Sequence, residues 1–400
     1  MNKRIIPYGR QNITDEDIQA VITTLRSDYL TQGPAIKKFE EDFANYIGCK
    51  YAVAVSNGTA ALHIAAMALE VGEGANVITT PITFAASANC IAYCNGKVWF
   101  ADIDPNTFTI DLNKIESLIN SRSAGFFKGI IPVDFAGYAV NLEQLRKIAD
   151  KHGLWILEDA CHAPGAYFID SKGEKQFCGN GKFADLSIFS FHPVKHIATG
   201  EGGMITTNDH GLYQKLLLYR THGITRNPAS FINTKAFAAG LKTEDAIEWP
   251  GWYMEMQELG YNYRLTDFQA ALGVSQLKRA DEGLVRRRQI AAKYNRAFEG
   301  KPWLIKQSGD ILGHAYHLYV IEVKKRLELY NELRKKNIYA QVHYVPTHLM
   351  PYYRLMGWKE GDMPYSEEYY KHCLSLPMYP TLTDEEQNYV IKAINDYYNE

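Results

Sequence analysis

A mostly parallel central sheet in a large α/β domain, followed by a smaller α+β domain at the C-terminus, is the fold class that the 400 residues predict. Two observations carry the prediction. Between about residues 50 and 210, short β-rich runs alternate with amphipathic helical patterns, and this alternation builds parallel βαβ units with helices on both faces. After about residue 261 the rhythm gives way to long helical patterns separated by isolated strand-like runs. The length agrees, because so many residues exceed what a single core usually organises. The expected division is a large domain over 1–260 and a small domain over 261–400.

Taken in order, the first strand is Tyr51–Ser56, followed by an Asn57-Gly58 turn and a helical pattern over Thr59–Leu69. Strand-like runs recur at Asn76–Thr80, Val98–Asp102, Gly129–Asp134, Trp155–Asp159, Leu186–Phe191 and Met204–Thr207. The helical pattern Leu142–His152 has Asn141 at its N-cap and Gly153 at its C-terminal stop. Another helix is expected over Leu212–Tyr219. Residues 224–258 mix Asn, Pro, Gly, Trp and charges, and predict a long surface excursion. Beyond it come a long helical pattern (Leu265–Tyr294), a strand (Tyr316–Val323), a helix (Lys325–Lys336), a strand (Tyr339–His343) and a final helix (Asp384–Tyr397).

Composition excludes several function classes. With 43 basic against 45 acidic side chains, no global field recruits nucleic acid or an anionic membrane. The most apolar stretch, Tyr51 to Val71, is interrupted by Asn57, Gly58 and His63, which a membrane span tolerates poorly. Lys3 and Arg4 have no long apolar run behind them, so no signal peptide is expected and the cytoplasm is the expected location. The six cysteines form no CxxC pair and no regular framework, as in a reducing compartment.

Three segments carry chemistry. In Tyr51–Leu62 a strand, a tight turn and a helix starting near Thr59 offer free N–H groups and a hydroxyl to a phosphate. In Leu154–His162 an apolar strand ends in Glu158 and Asp159, with His162 three residues later, at the strand end where ligands of α/β sheets gather. In Phe189–Gly203 a strand delivers Ser190, Pro193 turns the chain, and Lys195 stands before a glycine-rich turn. A lysine held between apolar strands can sit in a cleft with a depressed pKa, suited to Schiff-base chemistry. Gly179–Ala184 mimics a dinucleotide fingerprint but precedes a strand, and so reads as a surface turn. His343, Tyr344 and His348 with Cys373 lack metal-ligand spacing, so a substrate-site or core role is expected and no metal.

Together these segments resemble the sugar aminotransferases of the DegT/DnrJ/EryC1/StrS group, from about Tyr8 to the C-terminus. The matching motifs include Leu30–Pro34, Ser56–Ala61, Pro81–Asn89, Glu158–His162, Ser190–Lys195, Gly200–Gly203, Gly260–Arg264 and Leu374–Pro377. The resemblance implies the type I, aspartate-aminotransferase-like fold of enzymes dependent on pyridoxal 5′-phosphate (PLP), which cycles through pyridoxamine 5′-phosphate. It makes Lys195 the Schiff-base lysine and later acid/base, and Asp159 the partner of the pyridinium nitrogen. Phe84 would stack on the ring, His162 would lie near its phenolic oxygen, and Thr59, Ala60 and Ser190 would hold the phosphate. Many relatives have Gln where His162 stands. Asn262 would reach the phosphate from the partner subunit, implying a homodimer with sites at the interface. Arg220, His222, His317, His343 and Tyr344 are candidate substrate contacts, with a helix-capping role equally open for Arg220.

Within the family, Ser190–Lys195, Glu255–Arg264 and Gln341–Pro346 are most similar to enzymes that aminate C4 of a UDP-linked 4-keto-6-deoxy-N-acetyl-hexosamine on the way to pseudaminic acid, with L-glutamate as donor. Other nucleotide 4-keto sugars, of the UDP-bacillosamine or GDP-perosamine type, remain alternatives. So do a PLP sugar dehydratase, whose lysine would be a histidine, and a non-catalytic PLP-binding regulator.

Overall fold

The computed structural model describes residues 5–242, 248–309 and 311–399. Lys3 and Arg4, and positions 243–247 of the excursion, lie outside the described residues. The central sheet has seven strands: β1 (Tyr51–Val55), β2 (Asn76–Thr79), β3 (Lys97–Phe100), β4 (Phe127–Ile131), β5 (Trp155–Asp159), β6 (Leu186–Ser190) and β7 (Gly203–Thr207). Their order across the sheet is β1-β7-β6-β5-β4-β2-β3. The strands are almost wholly apolar because helices cover both faces. All pairs are parallel except those of β7, which runs antiparallel to β1 and to β6. No helix separates β6 from β7, so the chain can only turn back beside β6, and that turn carries Lys195.

One face of the sheet is covered by helix Gly58–Ala68, whose buried Ala61, Ala65 and Ala66 let it pack closely over the strands. On the other face, helices Pro34–Ile47 and Asp267–Leu277 pack together, and Asp15–Leu25 lies on the second of these. Phe39 and Phe43 stack against Phe191 and Phe189 beneath the sheet, with ring centroids 5.1 and 4.9 Å apart. The C-terminal part holds a three-stranded antiparallel sheet, Leu304–Gln307, Tyr319–Val323 and Cys373–Leu376, backed by Ala280–Phe298, Arg326–Lys335 and Asp384–Asn399.

Several expected boundaries move. The helical pattern Leu265–Tyr294 is two helices, broken at Lys278 and Arg279. The strand expected from Tyr316 starts at Tyr319, because Tyr316 adopts φ +48° and its N–H bonds to His314 Nδ1. The run Tyr339–His343 forms only a short strand, Ile338–Tyr339, which pairs in parallel with Ile6–Pro7 from the N-terminal arm. The excursion 224–258 is closed at its base by Ile224–Thr225 pairing with Glu255–Met256, and carries a short helix, Lys235–Ala239. Among the described residues, no helix is long and apolar enough to cross a membrane.

Gly203 opens β7 against the turn after β1. A Cβ there would lie 2.6 Å from the Asn57 carbonyl oxygen and 3.0 Å from the Gly58 nitrogen, both backbone atoms. Gly203→Ala should therefore cost about 1–3 kcal/mol. Denaturant unfolding checks this, and unchanged stability would show that the turn yields freely.

Candidate active site

A chamber of about 620 Å³ opens beyond the carboxyl ends of the parallel strands. The turn between β6 and β7 brings Lys195 to it, with the Lys195 N–H bonded to the His192 carbonyl at 2.8 Å and the Thr199 N–H to the Phe191 carbonyl at 2.9 Å. Lys195 Nζ lies 3.5 Å from His317 Nε2. Burial holds the Lys195 ammonium below the usual lysine range, and the positive charge of Arg287 pushes the same way. Arg287 is itself almost fully buried, donating to the carbonyls of Tyr316, His317 and Met378.

At the end of β5, Asp159 is 5% exposed and faces the chamber. Its Oδ2 accepts the Ser87 hydroxyl at 2.6 Å and its Oδ1 accepts the Cys161 N–H at 3.1 Å. Among the described residues it has no ion pair, so a buried carboxylate is oriented toward the cavity without a cation. His162, three residues further on, is locked in one tautomer. The Ala136 N–H donates to Nδ1 at 3.2 Å, so in the neutral ring the hydrogen sits on Nε2, which lies 3.4 Å from the Tyr344 hydroxyl. Burial keeps this ring neutral, with Lys195 adding to the effect.

The helix after β1 aims its N-terminus into the same space. Asn57 caps it, its Oδ1 accepting the Ala60 N–H at 2.7 Å. Ala60 is therefore committed to the cap, and Gly58 and Thr59 carry the N–H groups left for an anion. The Ser190 hydroxyl stands beside them, since a Cβ on Gly58 would lie 3.0 Å from Ser190 Cβ. Phe84 is 62% exposed at the chamber wall and offers an open ring face. His317, His343 and Tyr344 line the chamber from the C-terminal part. Burial depresses the His343 pKa to about 3, and its Nδ1 pairs with the Ser375 hydroxyl at 2.8 Å.

Three expected residues lie outside this chamber. The Arg220 guanidinium pairs with Glu40 and donates to the Ala54 carbonyl, tying helix His210–Arg220 to β1. His222 is exposed, in the left-handed region at φ 57°, and Asn262 is exposed opposite Thr221 in an isolated bridge. Sequence reasoning missed Tyr8, Ser87 and Tyr263, which also line the chamber. Ser87 was legible as the residue four after Thr83, whose hydroxyl it meets at 2.7 Å on the first turn of a helix. Tyr8 comes from the N-terminal arm, and nothing local predicts where that arm packs.

Behind Asp159, Asp134, Glu158 and Cys178 bring one potential ligand atom each within 4.8 Å of one another, fully buried. No spacing in the chain points to this group, and His348, weighed above for metal binding, pairs with Glu367 at 3.0 Å. Asp134 Oδ2 and Glu158 Oε1 have no donor, while the other oxygens accept from Val140, Gly179 and Ser187. Two carboxylates this close in a dry core share a proton.

With this geometry in view, comparison with known proteins defines the class. The DegT/DnrJ/EryC1/StrS aminotransferase family model matches residues 11–395. The chain is 38% identical over 400 residues to the spore coat polysaccharide biosynthesis protein SpsC of Bacillus subtilis, covering 98% of this chain and 96% of that protein. It is 36% identical over 393 residues to a UDP-4-amino-4,6-dideoxy-N-acetyl-β-L-altrosamine transaminase of Campylobacter jejuni, covering 96% of each. Among solved structures, PseC of Helicobacter pylori, an aminotransferase of pseudaminic acid biosynthesis, superposes with a TM-score of 0.85 at 29% identity, covering 99% of this chain and 100% of that one. The protein belongs to the DegT/DnrJ/EryC1/StrS aminotransferase family. It is accordingly a PLP-dependent aminotransferase of the type I fold.

Burial raises the pKa of both Asp134 and Glu158, so the folded chain keeps a proton that the unfolded chain releases above about pH 4. Their contribution is fully present below pH 4 and is lost as the pH rises through the folded values. Asp134→Asn, which supplies a permanent N–H donor to Glu158, should flatten the fall of Tm on the alkaline side. An unchanged Tm-versus-pH profile would mean that no shared proton is held.

Proposed function

We propose that this enzyme moves the amino group of L-glutamate to C4 of a UDP-4-keto-6-deoxy-N-acetyl-hexosamine, in the biosynthesis of pseudaminic acid, as a cytoplasmic homodimer. The observation that carries the reading is the convergence of Lys195, unpaired Asp159 and the free Gly58 and Thr59 N–H groups on one chamber. In this reading residues 1–260 form the cofactor-binding domain, and residues 261–400 contribute His317, His343 and Tyr344.

The residues suit PLP. Asp159 supplies the negative charge that a protonated pyridine nitrogen needs, and the Ser87 hydroxyl orients it. Gly58, Thr59 and Ser190 take the phosphate at a helix N-terminus. Phe84 would lie against the ring, and His162 would donate from Nε2 to its phenolic oxygen. Bound there, the cofactor supplies an electron sink for the carbanion formed at the donor's α-carbon. Lys195 would hold the bound cofactor, and its Nζ, once freed by the donor amine, would take the donor's α-proton and pass it on to the cofactor. In the second half Lys195 moves a proton onto C4 of the sugar. His317 orients the amine throughout. In the homodimer Asn262 would reach the phosphate in the other subunit's chamber.

Purified protein with added PLP should show a visible cofactor band that L-glutamate bleaches and the UDP-4-keto sugar restores, with a 4-amino sugar formed. Lys195→Ala should bind PLP yet lose turnover by about 10²–10⁴-fold or more. Undiminished turnover would end the assignment. Amination of a GDP-linked sugar in preference would leave the aminotransferase reading intact and overturn the choice of nucleotide.

A further inference from the structure

Lys195 belongs to the wall of two cavities. Besides the main chamber, a separate cavity of about 180 Å³ lies on its other side, walled by Arg10, Asn12, His196, Gln276, Glu282 and Gly283. Its lining is polar, and it is formed by the N-terminal arm, the His196 turn and the start of helix Ala280–Phe298. It has room for several waters and enough polar partners to hold them.

His196 stands on the wall of this cavity. Its Nε2 lies 3.0 Å from the Ala315 carbonyl oxygen, which can only accept, so Nε2 carries the hydrogen. The lone pair left on Nδ1 is buried and has no partner. A bare acceptor costs about 1–3 kcal/mol unless a donor meets it, and a water entering beside His196 from the adjoining cavity would be such a donor. His196 and His317 lie 5.8 Å apart by ring centroid, and His317 Nε2 approaches Lys195 Nζ.

We propose that this second cavity is a water-filled port through which Lys195 exchanges protons with solvent while the donor or the sugar closes the main chamber. The inference rests on the reading of Lys195 as the residue that takes the donor's α-proton. In that step the donor's C–H bond breaks and an N–H bond forms on Nζ. In the port, the ammonium passes one N–H proton to water and takes another back. Charge and atom counts are unchanged, while the identity of the hydrogen is lost.

Glutamate deuterated at the α-carbon tests it. In ordinary water the PLP-loaded enzyme should release most of the deuterium to solvent, leaving little in the pyridoxamine phosphate recovered by mass spectrometry. Gly283→Leu fills the port without backbone strain, since a Cβ at Gly283 meets only Pro380 at an ordinary 3.5 Å. Asn12→Leu fills it from the opposite wall. Both should raise retained deuterium several-fold, and retention equal to that of the unaltered protein in both variants would overturn the port. A high-resolution crystal structure of the cofactor-free protein gives a readout independent of the reaction. Ordered water within hydrogen-bonding distance of His196 Nδ1 supports the port, and a dry cavity overturns it. If no pyridoxamine phosphate forms from any amino donor while that water is present, the reading of Lys195 fails and the hydrated cavity stands.

Discussion

The site depends on the antiparallel ladder between β6 and β7. Because β7 returns directly beside β6, the connection that carries Lys195 is pinned at both ends by main-chain hydrogen bonds across the sheet. The same strand then pairs with β1, which places Gly203 under the Asn57-Gly58 turn. One reversal of direction thus joins the lysine to the anion-binding helix start. A parallel crossover in its place would have needed a helix between the strands and carried the lysine to a sheet face.

Around that lysine the protein concentrates groups that could be cationic and keeps them from being so. His162, His317 and His343 are buried and His196 is half-buried, all with pKa values held below normal, chiefly by desolvation and then by nearby positive charge. The same desolvation lowers Lys195. Neutral imidazoles leave the amine free to act as a base, and three of them are oriented by the partner of one nitrogen: Ala136 for His162, Ala315 for His196, Ser375 for His343. Against this set stands Asp159, a carboxylate that forms no ion pair among the described residues, so the chamber wall carries a negative charge beside the lysine.

Where sequence expectations and structure part, contacts distant in sequence are the cause. The run Tyr339–His343 has the composition of a strand, yet it forms only a two-residue strand because its partner there is the short arm Ile6–Pro7. The middle of the long helical pattern breaks at Arg279, whose guanidinium is drawn to buried Asp17 of helix Asp15–Leu25. Ala60 resembles a phosphate ligand by motif, but the side chain of Asn57 takes its N–H in space. These outcomes follow from pairings across more than a hundred residues or from a choice between two acceptors, neither of which periodicity records.

The sequence by itself determined the parallel sheet, the lysine-bearing turn and the three segments of the site, because these are local: alternation of apolar runs, a proline and glycines at a turn, a cap before a helix. It also carried the family. Only the tertiary structure decided that Ser87 orients Asp159, that His162 donates from Nε2, that Asp134 and Glu158 meet in the core, and that Lys195 separates two cavities. Each of these is a distance between atoms far apart in the chain, set by how helices and strands pack, and close packing resolves such distances only when the whole core is assembled.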